Sequence, residues 1–309
     1  MPSLRDVRRH IKSVKNIQQI TYAMKMVAAA RIKRAQSAIL SSRPFAVKME
    51  EMLADLGAEL NEDDFKTSGV CDLFEGGFYS DSVGLLLITS DKGLCGSFNA
   101  NLLKAAVKWL RENREKKIYC LAIGKKGRDF LRRLKNLNLE MEQELIGIFP
   151  KISYAHAEMT GEAVTNLYRA KKTAKITVIY NEFKSLIAQR IVCRDLLPLE
   201  MHIAGLPAKA VVAGKTSASG EKLRDFNFEP GKNLLLRALL PRYIKAQIYR
   251  MLLESQSAEL AARMNAMESA NKNAGELIDA LTLKLNKTRQ AMITKELSEI
   301  VGGAEALGG

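Results

Sequence analysis

Residues 231–300 have the sequence GKNLLLRALLPRYIKAQIYRMLLESQSAELAARMNAMESANKNAGELIDALTLKLNKTRQAMITKELSEI, which is rich in Ala, Leu, Met, Glu, Lys and Gln. Most of these residues lose little conformational entropy in a helix, so the stretch predicts one long α-helix. Such a helix extends about 105 Å and must lie against another long helix or inside a partner. Apolar residues recur at the spacing of a coiled-coil seam, at Met267, Ala270, Ala274, Leu277 and Leu281.

Residues 3–60 predict a second long helix with a seam of the same kind. A step of three in place of four between Val14 and Ile17 is a stammer, which locally overwinds a coiled coil. Pro44 lies inside the run, and its missing N–H predicts a kink or an interruption. The predicted seam consists of Leu4, Val7, Ile11 and Val14, then Ile17, Ile20, Met24 and Val27, then Ala28, Ile32, Ala35 and Ile39, and finally Met49, Leu53, Leu56 and Leu60.

The chain between the two helices has the alternating pattern of an α/β domain. Two neighbouring β-rich runs, 174–183 and 185–193, predict an antiparallel hairpin. The alternation before them predicts a small, mostly parallel sheet with helices on both faces. The earlier strands are expected at 83–89, 117–123 and 139–148, and the helices at 100–115, 128–135 and 151–172.

The predicted fold class is α/β: a long antiparallel coiled coil of N- and C-terminal helices with an inserted Rossmann-like α/β domain. Because the α/β unit is inserted between the two helices, these must pair antiparallel, and the longer C-terminal helix must project beyond its partner. The expected organisation is an N-terminal helix at 1–60, a connector at 61–82, the α/β domain at 83–203, a mobile loop and its continuation at 204–230, and the C-terminal helix at 231–309.

The composition combines enough apolar residues for a core with a strongly basic balance. Of the 309 residues 47% are hydrophobic but only 6% are aromatic, which suits helix packing better than a large β core. The net charge is +14, and residues 1–50 hold eleven Lys or Arg against Asp6 and Glu50. This balance indicates nucleic acid, an anionic membrane surface or an acidic protein partner, or only a solvated helix face.

The short motifs of the chain supply no catalytic, cofactor or metal site. GKT at 214–216 resembles a phosphate loop, but the Walker pattern requires Gly where Lys209 stands. GKKG at 124–127 resembles the nucleic-acid clamp of KH domains, although glycines at a strand-to-helix turn have a sufficient structural reason. We therefore expect a protein that is not an enzyme on its own.

The cysteine and histidine side chains are scattered along the chain. No CxxC pair and no zinc-ligand spacing occur among them, so we expect structural thiols in a reducing compartment. No stretch of 18 apolar residues predicts a transmembrane helix, and the N-terminus lacks the apolar core of a signal peptide. The residues concerned are Cys71, Cys95, Cys120, Cys193, His10, His156 and His202.

Several blocks of the chain resemble the γ subunit of F-type ATP synthases. KNIQQITYAMKMVAAARIKRAQ at 15–36 is similar to the N-terminal signature of that family. ARMNAMESANKNAGELIDALTLKLNKTRQAMITKELSEIVGGAEAL at 262–307 is similar to its C-terminal signature. Between them, SDKGLCGSFNANL at 90–102, GKKG and YNEF at 180–183 follow the order of motifs in the family's α/β domain. The resemblance extends over nearly the whole chain.

The resemblance implies a central-stalk rotor subunit whose partners are the α and β subunits of the F1 ring, the ε subunit and the c ring of Fo. The paired helices would form a shaft inside the α–β ring, and the α/β domain would sit beside ε and on the c ring. Ion flow would turn the c ring, and the asymmetric shaft would drive each β subunit through the states that make and release ATP. No cofactor and no nucleic acid is implied, and the membrane is reached only through Fo.

The resemblance also assigns contact residues. Met24 would face the β lever near the mouth of the ring, with Arg263 opposite it on the other helix. A polar set further along the shaft would meet the loops of the ring, and a foot would rest on the c ring. The polar set is Arg289, Gln290, Thr294 and Glu296, and the foot is Phe226, Phe228 and Glu229.

The resemblance further implies a bacterial source. Plastid relatives carry an inserted loop with a closely spaced cysteine pair, whereas Cys193 stands alone here, and the helical pattern leaves no room for a transit peptide. We therefore expect a peripheral protein on the cytoplasmic face of the bacterial plasma (inner) membrane. Two other classes stay open at this point, a basic coiled-coil protein that binds nucleic acid and a passive coiled-coil scaffold. The basic run has no interleaved aromatics on which bases could stack, which argues against the first.

Overall fold

The computed structural model describes residues 4–58, 69–74, 81–135, 137–149, 151–199, 229 and 231–307. The chain divides into two compact units: the helical unit, Met1–Arg31 with Arg263–Gly309, and the sheet unit, Ile32–Ala262. The helices are α1 (Leu4–Ala58), α2 (Phe98–Glu112), α3 (Lys125–Arg133), α4 (Tyr154–Arg169) and α5 (Lys232–Leu307), with a 3₁₀ turn at Cys71–Leu73. The strands are β1 (Ser82–Ile88), β2 (Lys117–Ile123), β3 (Leu139–Leu145), β4 (Ile176–Phe183) and β5 (Gln189–Leu197).

In the helical unit, α1 and α5 run antiparallel. Lys25 Nζ lies 2.7 Å from Glu268 Oε1, and a Cβ added at Gly275 would lie 3.3 Å from Gln18 Nε2. Seven residues forward in α1 therefore correspond to seven residues backward in α5, which fixes the register of the pair. The predicted antiparallel pairing of the terminal helices is confirmed.

The seam of α1 differs from the predicted one between residues 17 and 27. Ile17, Ile20 and Val27, which the prediction placed in the seam, are each more than half exposed. The seam instead keeps its three-and-four spacing without a break, because it accepts polar side chains in its middle. The predicted stammer is therefore wrong. The buried and half-buried residues that form the seam are Leu4, Val7, Ile11, Val14, Gln18, Thr21, Lys25 and Ala28.

The seam of α5 is also displaced at one position. Leu277 is 43% exposed, and its neighbour Ile278 takes the half-buried place that the prediction gave to Leu277. By the register of the pair, Leu4 at the described start of α1 lies opposite Arg289. All side chains described from Arg289 to Gly302 are exposed, so α5 projects past the described part of α1, as predicted. The α5 seam consists of Met267, Ala270, Ala274, Ile278, Leu281, Leu285 and Thr288.

The sheet unit is built on strands in the order β3-β2-β1-β4-β5. β1 pairs in parallel with β2 and β4, and β2 pairs in parallel with β3. β4 and β5 form the predicted antiparallel hairpin, in which Ile179 lies opposite Cys193. The order places the chain reversal between β1 and β4, which is the topology of a doubly wound sheet.

Helices cover both faces of this sheet, because the central strands are apolar on both sides. Leu85 and Leu87 of β1 pack with α2 and α3 residues, including Trp109. Leu86 and Ile88 point the other way and pack with residues of α4 and with the parts of α1 and α5 that belong to the sheet unit. The predicted mixed sheet with helices on two faces is confirmed.

Within the sheet unit, α5 is buried on all sides from Met251 to Ala261. Leu252 packs in the cluster on the α4 side of the sheet, and Ala258 packs in the cluster on the α2 side. A helix that is buried all round is usually apolar, yet this one carries ESQS at 254–257 and Glu259. The sequence pattern alone does not reveal this burial.

Helix α1 continues through Pro44, so of the two predicted outcomes, a kink or an interruption, the interruption is wrong. Proline at this position frees the carbonyl of Leu40, and Leu40 is 64% exposed, so water can reach that side of the helix. Most of the predicted connector 61–82 and nearly all of 204–230 lie outside the described residues. The domain boundaries stay a prediction.

Candidate partner-contact surface

The helical unit presents an exposed apolar stripe on α1. Ile17, Ile20 and Val27 are 51%, 58% and 51% exposed, and half-buried Met24 lies in the same row of three-and-four steps. The predicted seam residues thus form a real stripe, but it lies beside the packed seam and faces outward. Contiguous exposed apolar side chains indicate a surface that a partner covers. The sequence does contain a signal for this stripe: its apolar residues form a second row beside the seam, and the seam can continue through polar residues.

Basic side chains surround this apolar stripe along the first half of α1. In the described part of the helical unit, Arg9 pairs with Asp6 at 3.8 Å, between side chains that are 72% and 57% exposed. Such an exposed pair contributes little to stability. The remaining positive charge is available to an acidic partner. The exposed basic residues are Arg5, Arg8, Arg9, Lys12, Lys15 and Arg31.

The four residues of the predicted polar set lie at the projecting end of α5. Arg289, Gln290, Thr294 and Glu296 are all exposed. Thr294 donates its hydroxyl to the backbone carbonyl of Gln290 at 3.0 Å, an ordinary contact within a helix. These four side chains are therefore open to contact from another protein, and the ring loops that they would contact stay a prediction.

The structure separates the other predicted contact residues. The register of the helical unit places Ser269 opposite Met24, so Arg263 lies about 9 Å from the position facing Met24, towards the N-terminal end of α5. Arg263 is half-buried and Met24 is half-buried. Glu229 is exposed, and Phe226 and Phe228 lie outside the described residues.

The GKKG motif forms the turn between β2 and α3 in the sheet unit. Gly124 has φ +90°, and a Cβ there would lie 2.2 Å from the carbonyl oxygen of Thr89. Gly127 donates its backbone N–H to Thr89 Oγ1 at 2.7 Å, and a Cβ on it would touch the same hydroxyl at 2.8 Å. Both glycines are thus required by close packing on the end of β1. This gives GKKG a structural role and removes the argument for a nucleic-acid clamp.

Asp91 joins the three loops that follow β1, β2 and β3. Its Oδ1 accepts the backbone N–H of Lys125 at 3.0 Å, at the start of α3. Its Oδ2 accepts the backbone N–H of Phe149 at 3.1 Å, beyond β3. In nucleotide-binding α/β folds, a phosphate occupies such a helix N-terminus at the carboxyl end of the sheet. Here the carboxylate of Asp91 stands in that position.

The polar turn around Asp91 is tied to α2. Asn99 accepts the backbone N–H of Ser90 at 3.1 Å, and its amide donates to Ser90 Oγ at 2.8 Å. Cys95 is buried beside Asn99, with Nδ2 and Sγ 3.1 Å apart. The SDKGLCGSFN sequence therefore forms a rigid structural turn.

The cysteines differ in exposure and are all free thiols. Cys95 and Cys120 are buried, Cys71 is half-buried and Cys193 is exposed. Burial raises the pKa of Cys120 to about 12. Partial burial, and then the nearby Asp195, raise the pKa of Cys193 as well, which lowers its thiolate fraction at neutral pH.

A contact between α4 and α5 in the sheet unit has no signal in the sequence. Lys245 Nζ lies 2.8 Å from Glu162 and 3.1 Å from Glu158, and its stem crosses α4 at Gly161. A Cβ on Gly161 would lie 2.7 Å from Lys245 Cγ, so glycine is needed for the crossing. The two carboxylates raise the pKa of Lys245.

The described ranges contain no group of three or more His, Cys, Asp or Glu side chains placed to hold a metal ion. A separate search of the same residues finds no helix long and apolar enough to cross a membrane.

The chain has two long antiparallel helices with an inserted α/β domain, and its outer surface is both apolar and basic. These features define a class of subunit that functions in contact with partner proteins. A sequence profile of the ATP synthase family matches residues 3–307. The ATP synthase gamma chain of Elusimicrobium minutum (strain Pei191) is 47% identical over 310 residues, covering 99% of both chains. The ATP synthase gamma chain of Anaeromyxobacter sp. (strain K) is 40% identical over 309 residues, covering 99% of this chain and 100% of its own.

Solved structures agree with these relatives. The central stalk and c ring of the Tetrahymena thermophila mitochondrial ATP synthase includes a chain that is 27% identical, with a TM-score of 0.57, covering 81% of this chain and 99% of that one. A chain of the Euglena gracilis mitochondrial ATP synthase in rotational state 3 has a TM-score of 0.68 at 20% identity, covering 98% and 94%, and supports the fold. The chain belongs to the ATP synthase gamma-chain family. It is a non-catalytic, central-stalk subunit, and neither the nucleic-acid nor the scaffold alternative is supported.

Proposed function

We propose that this chain is the rotating shaft that couples ion-driven rotation of a membrane c ring to conformational cycling of catalytic β subunits. The observation that carries the proposal is the exposed stripe of Ile17, Ile20 and Val27 beside an intact two-helix seam. A shaft that turns in a sleeve needs a stable core of its own and an outer surface without strong fixed bonds. Apolar side chains make such contacts without directional hydrogen bonds.

The specific partners of the proposal are the α and β subunits of the ring, the ε subunit and the c ring. Exposed basic residues on α1, such as Arg8 and Lys12, would attract acidic loops of the ring over long range without fixed pairs. In each of the two units, α1 and α5 are held together by contacts of their own, among them Lys25 with Glu268 and Gln247 with Glu50. This pairing supports the transmission of torque along the helices.

The contact residues belong to the same proposal. Met24 would meet the β lever, and Arg263 would act on the N-terminal side of the α5 position that lies opposite Met24. The projecting end of α5 would enter the ring deepest, where its exposed polar set forms and breaks bonds as the shaft turns. That set is Arg289, Gln290, Thr294 and Glu296, and the foot on the c ring is Phe226, Phe228 and Glu229.

The proposed location is the cytoplasmic face of a bacterial plasma (inner) membrane, where the chain is held as part of the complex. The bacterial relatives at 47% and 40% identity support a bacterial source.

Co-expression with candidate α and β subunits, followed by sizing, tests the proposal. We expect a complex with a single copy of this chain per α–β ring, whose ATPase turnover depends on the chain. Replacing Ile17 and Ile20 together by Asp should abolish assembly, because two charges would enter an apolar bearing. Replacing the exposed residues Gln19 and Met26 by Asp is the matched control, since both lie on a side of α1 away from the stripe and the change adds equal charge. Assembly of the first variant at the wild-type yield and turnover would refute the bearing.

A further inference from the structure

The α2–α3 side of the sheet unit is strongly basic. Residues 98–135 contain twelve Lys or Arg against three acids, Glu112, Glu115 and Asp129. Asp129 is paired with Arg128 at 2.6 Å, and Arg132 is paired with Glu144 of β3. Most of the basic side chains therefore add to a positive field on this face of the domain.

A groove runs along this face between α2 and α3, and we call it the α2/α3 groove. It consists of two depressions of about 570 and 590 Å³ that share Val107 and Arg111. Its floor is apolar, with Leu103 and Val107 one helical turn apart on α2, Phe130 on α3, and Leu134 directly after the end of α3. All four floor residues are only half-buried.

The rim of the α2/α3 groove carries cations at helical spacing. Lys104, Lys108 and Arg111 follow one another at four and three residues on α2, and Arg114 continues the row. All four are exposed, and no ion pair within 4 Å joins them to the described residues. Glu112 and Glu115 also border the groove, so the lining keeps an excess of positive charge.

We propose that the α2/α3 groove is a docking site for an acidic amphipathic helix of a partner protein. Such a helix would place apolar side chains on Leu103, Val107 and Phe130 and acidic side chains beside the rim cations. An amphipathic helix can lay its apolar face into an apolar groove of this kind. From Lys104 to Arg111 the rim extends about 10 Å along α2, which matches about two turns of a docked helix.

The concave form of the groove distinguishes this partner from the other anionic ones. A bilayer surface is flat and would meet the outer side chains without reaching the apolar floor. A single-stranded nucleic acid would need aromatic platforms, and Phe130 is the one aromatic residue in the described lining. The proposal does not depend on the shaft function, because it concerns the sheet unit alone.

A binding assay on the full chain tests the proposal. The probe is a fluorescein-labelled synthetic helical peptide with one leucine face flanked by glutamates, and the reference peptide has lysines in place of the glutamates. We expect fluorescence anisotropy to show salt-sensitive binding of the glutamate peptide and no binding of the lysine peptide. Lys104→Glu combined with Lys108→Glu should weaken binding about tenfold, because both rim charges then repel the probe.

The matched control is Lys151→Glu with Arg190→Glu, which reverses two exposed charges of the same unit away from the groove. It should bind the glutamate peptide as the wild type does. Leu103→Gln tests the floor, and it should weaken binding while the fluorescence of Trp109, the single tryptophan, reports an intact α2. If Leu103→Gln disturbs that fluorescence, Lys104→Gln with Lys108→Gln takes its place and should weaken binding less than the charge reversal.

Three results would overturn the proposal. The first is that the two peptides bind equally well, or that neither peptide binds. The second is equal loss of binding in the groove and control variants. The third is that phosphatidylglycerol vesicles or duplex DNA bind the wild-type chain, that this binding is lost in the Lys104→Glu/Lys108→Glu variant, and that neither peptide competes with it.

Discussion

Lys25 of α1 and Glu268 of α5 form an ion pair across the seam of the helical unit, with Nζ and Oε1 2.7 Å apart. The two side chains are 29% and 58% exposed, so the pair adds little to the free energy of unfolding. A polar residue at a seam position acts mainly by excluding other alignments of the two helices. The pair therefore fixes the register more than it stabilises the unit.

Gly275 provides a test of how close the two helices lie. Gly275→Ala should stabilise the helical unit by about 0.5–1 kcal/mol, because alanine favours the helix and only the flexible amide of Gln18 must move. Gly275→Leu should destabilise it, because the larger side chain would displace Gln18 from the seam. Thermal unfolding followed by circular dichroism measures both. A stabilised Gly275→Leu variant would mean that the helices are not in contact at this position.

Lys245 gives the sheet unit a dependence on alkaline pH. Its pKa is raised above the unfolded value, so its contribution is fully present below about pH 10.4 and is lost as the pH rises through the folded pKa. Lys245→Met should lower stability by about 1 kcal/mol at pH 7, and the difference from wild type should shrink above the folded pKa. Denaturant unfolding at neutral and alkaline pH is the measurement.

The control for Lys245 is Lys116→Met, which changes an exposed lysine of the same unit. Its difference from wild type should stay small and should not follow the same pH profile. A pH-independent effect of Lys245→Met would show that packing across Gly161, and not the ion pairs with Glu158 and Glu162, holds the two helices.

Arg289 tests the proposed polar set. In a partly dry cavity, a charge-assisted hydrogen bond contributes about 1.5–3 kcal/mol, which is strong enough to bias a rotary angle and weak enough to break at the next. Arg289→Ala should lower steady-state ATP hydrolysis and synthesis of the assembled complex while assembly and helical content stay intact. Lys287→Ala is the control, since Lys287 is also exposed but lies on nearly the opposite side of α5. Equal turnover of Arg289→Ala and wild type would leave Arg289 with a local helix role only.

The surroundings of the cysteines predict that the activity of the assembled complex does not respond to redox agents. Cys193 is exposed, but its raised pKa lowers its reactivity, and Cys95 and Cys120 are buried. Dithiol reduction should therefore leave the ATPase rate of the assembled complex unchanged, in the wild type and in Cys193→Ser alike. A several-fold change on reduction that disappears in Cys193→Ser would contradict this expectation.

Helical spacing in the sequence predicted the two long helices, because their apolar residues recur over many turns. The same rule failed in the middle of α1, where it followed Ile17, Ile20 and Val27 and missed Gln18 and Lys25. A single-sequence pattern assumes that apolar side chains face the chain's own core. That assumption fails where a partner covers an outer stripe and the seam is polar.

The contacts that hold the sheet unit could not be predicted from spacing. Asp91 meets Lys125 and Phe149 only after three strands have aligned in one sheet, and these residues lie 34 and 58 positions away. Strands β1 and β2 were predictable, because each is a short continuous apolar run, which is a local signal. The burial of ESQS at 254–257 depends on packing against both faces of the sheet and has no local signal at all.

The carboxylate of Asp91 has a consequence for how such a subunit responds to the energy state of the cell. An α/β sheet of this topology offers nucleotides a helix N-terminus, but here the protein's own anion already saturates the amides of Lys125 and Phe149. A second anion would have to displace a group that is tethered next to it and therefore present at high effective concentration. The amides of Lys125 and Phe149 would then stay occupied by Asp91 when the concentrations of ATP and ADP change.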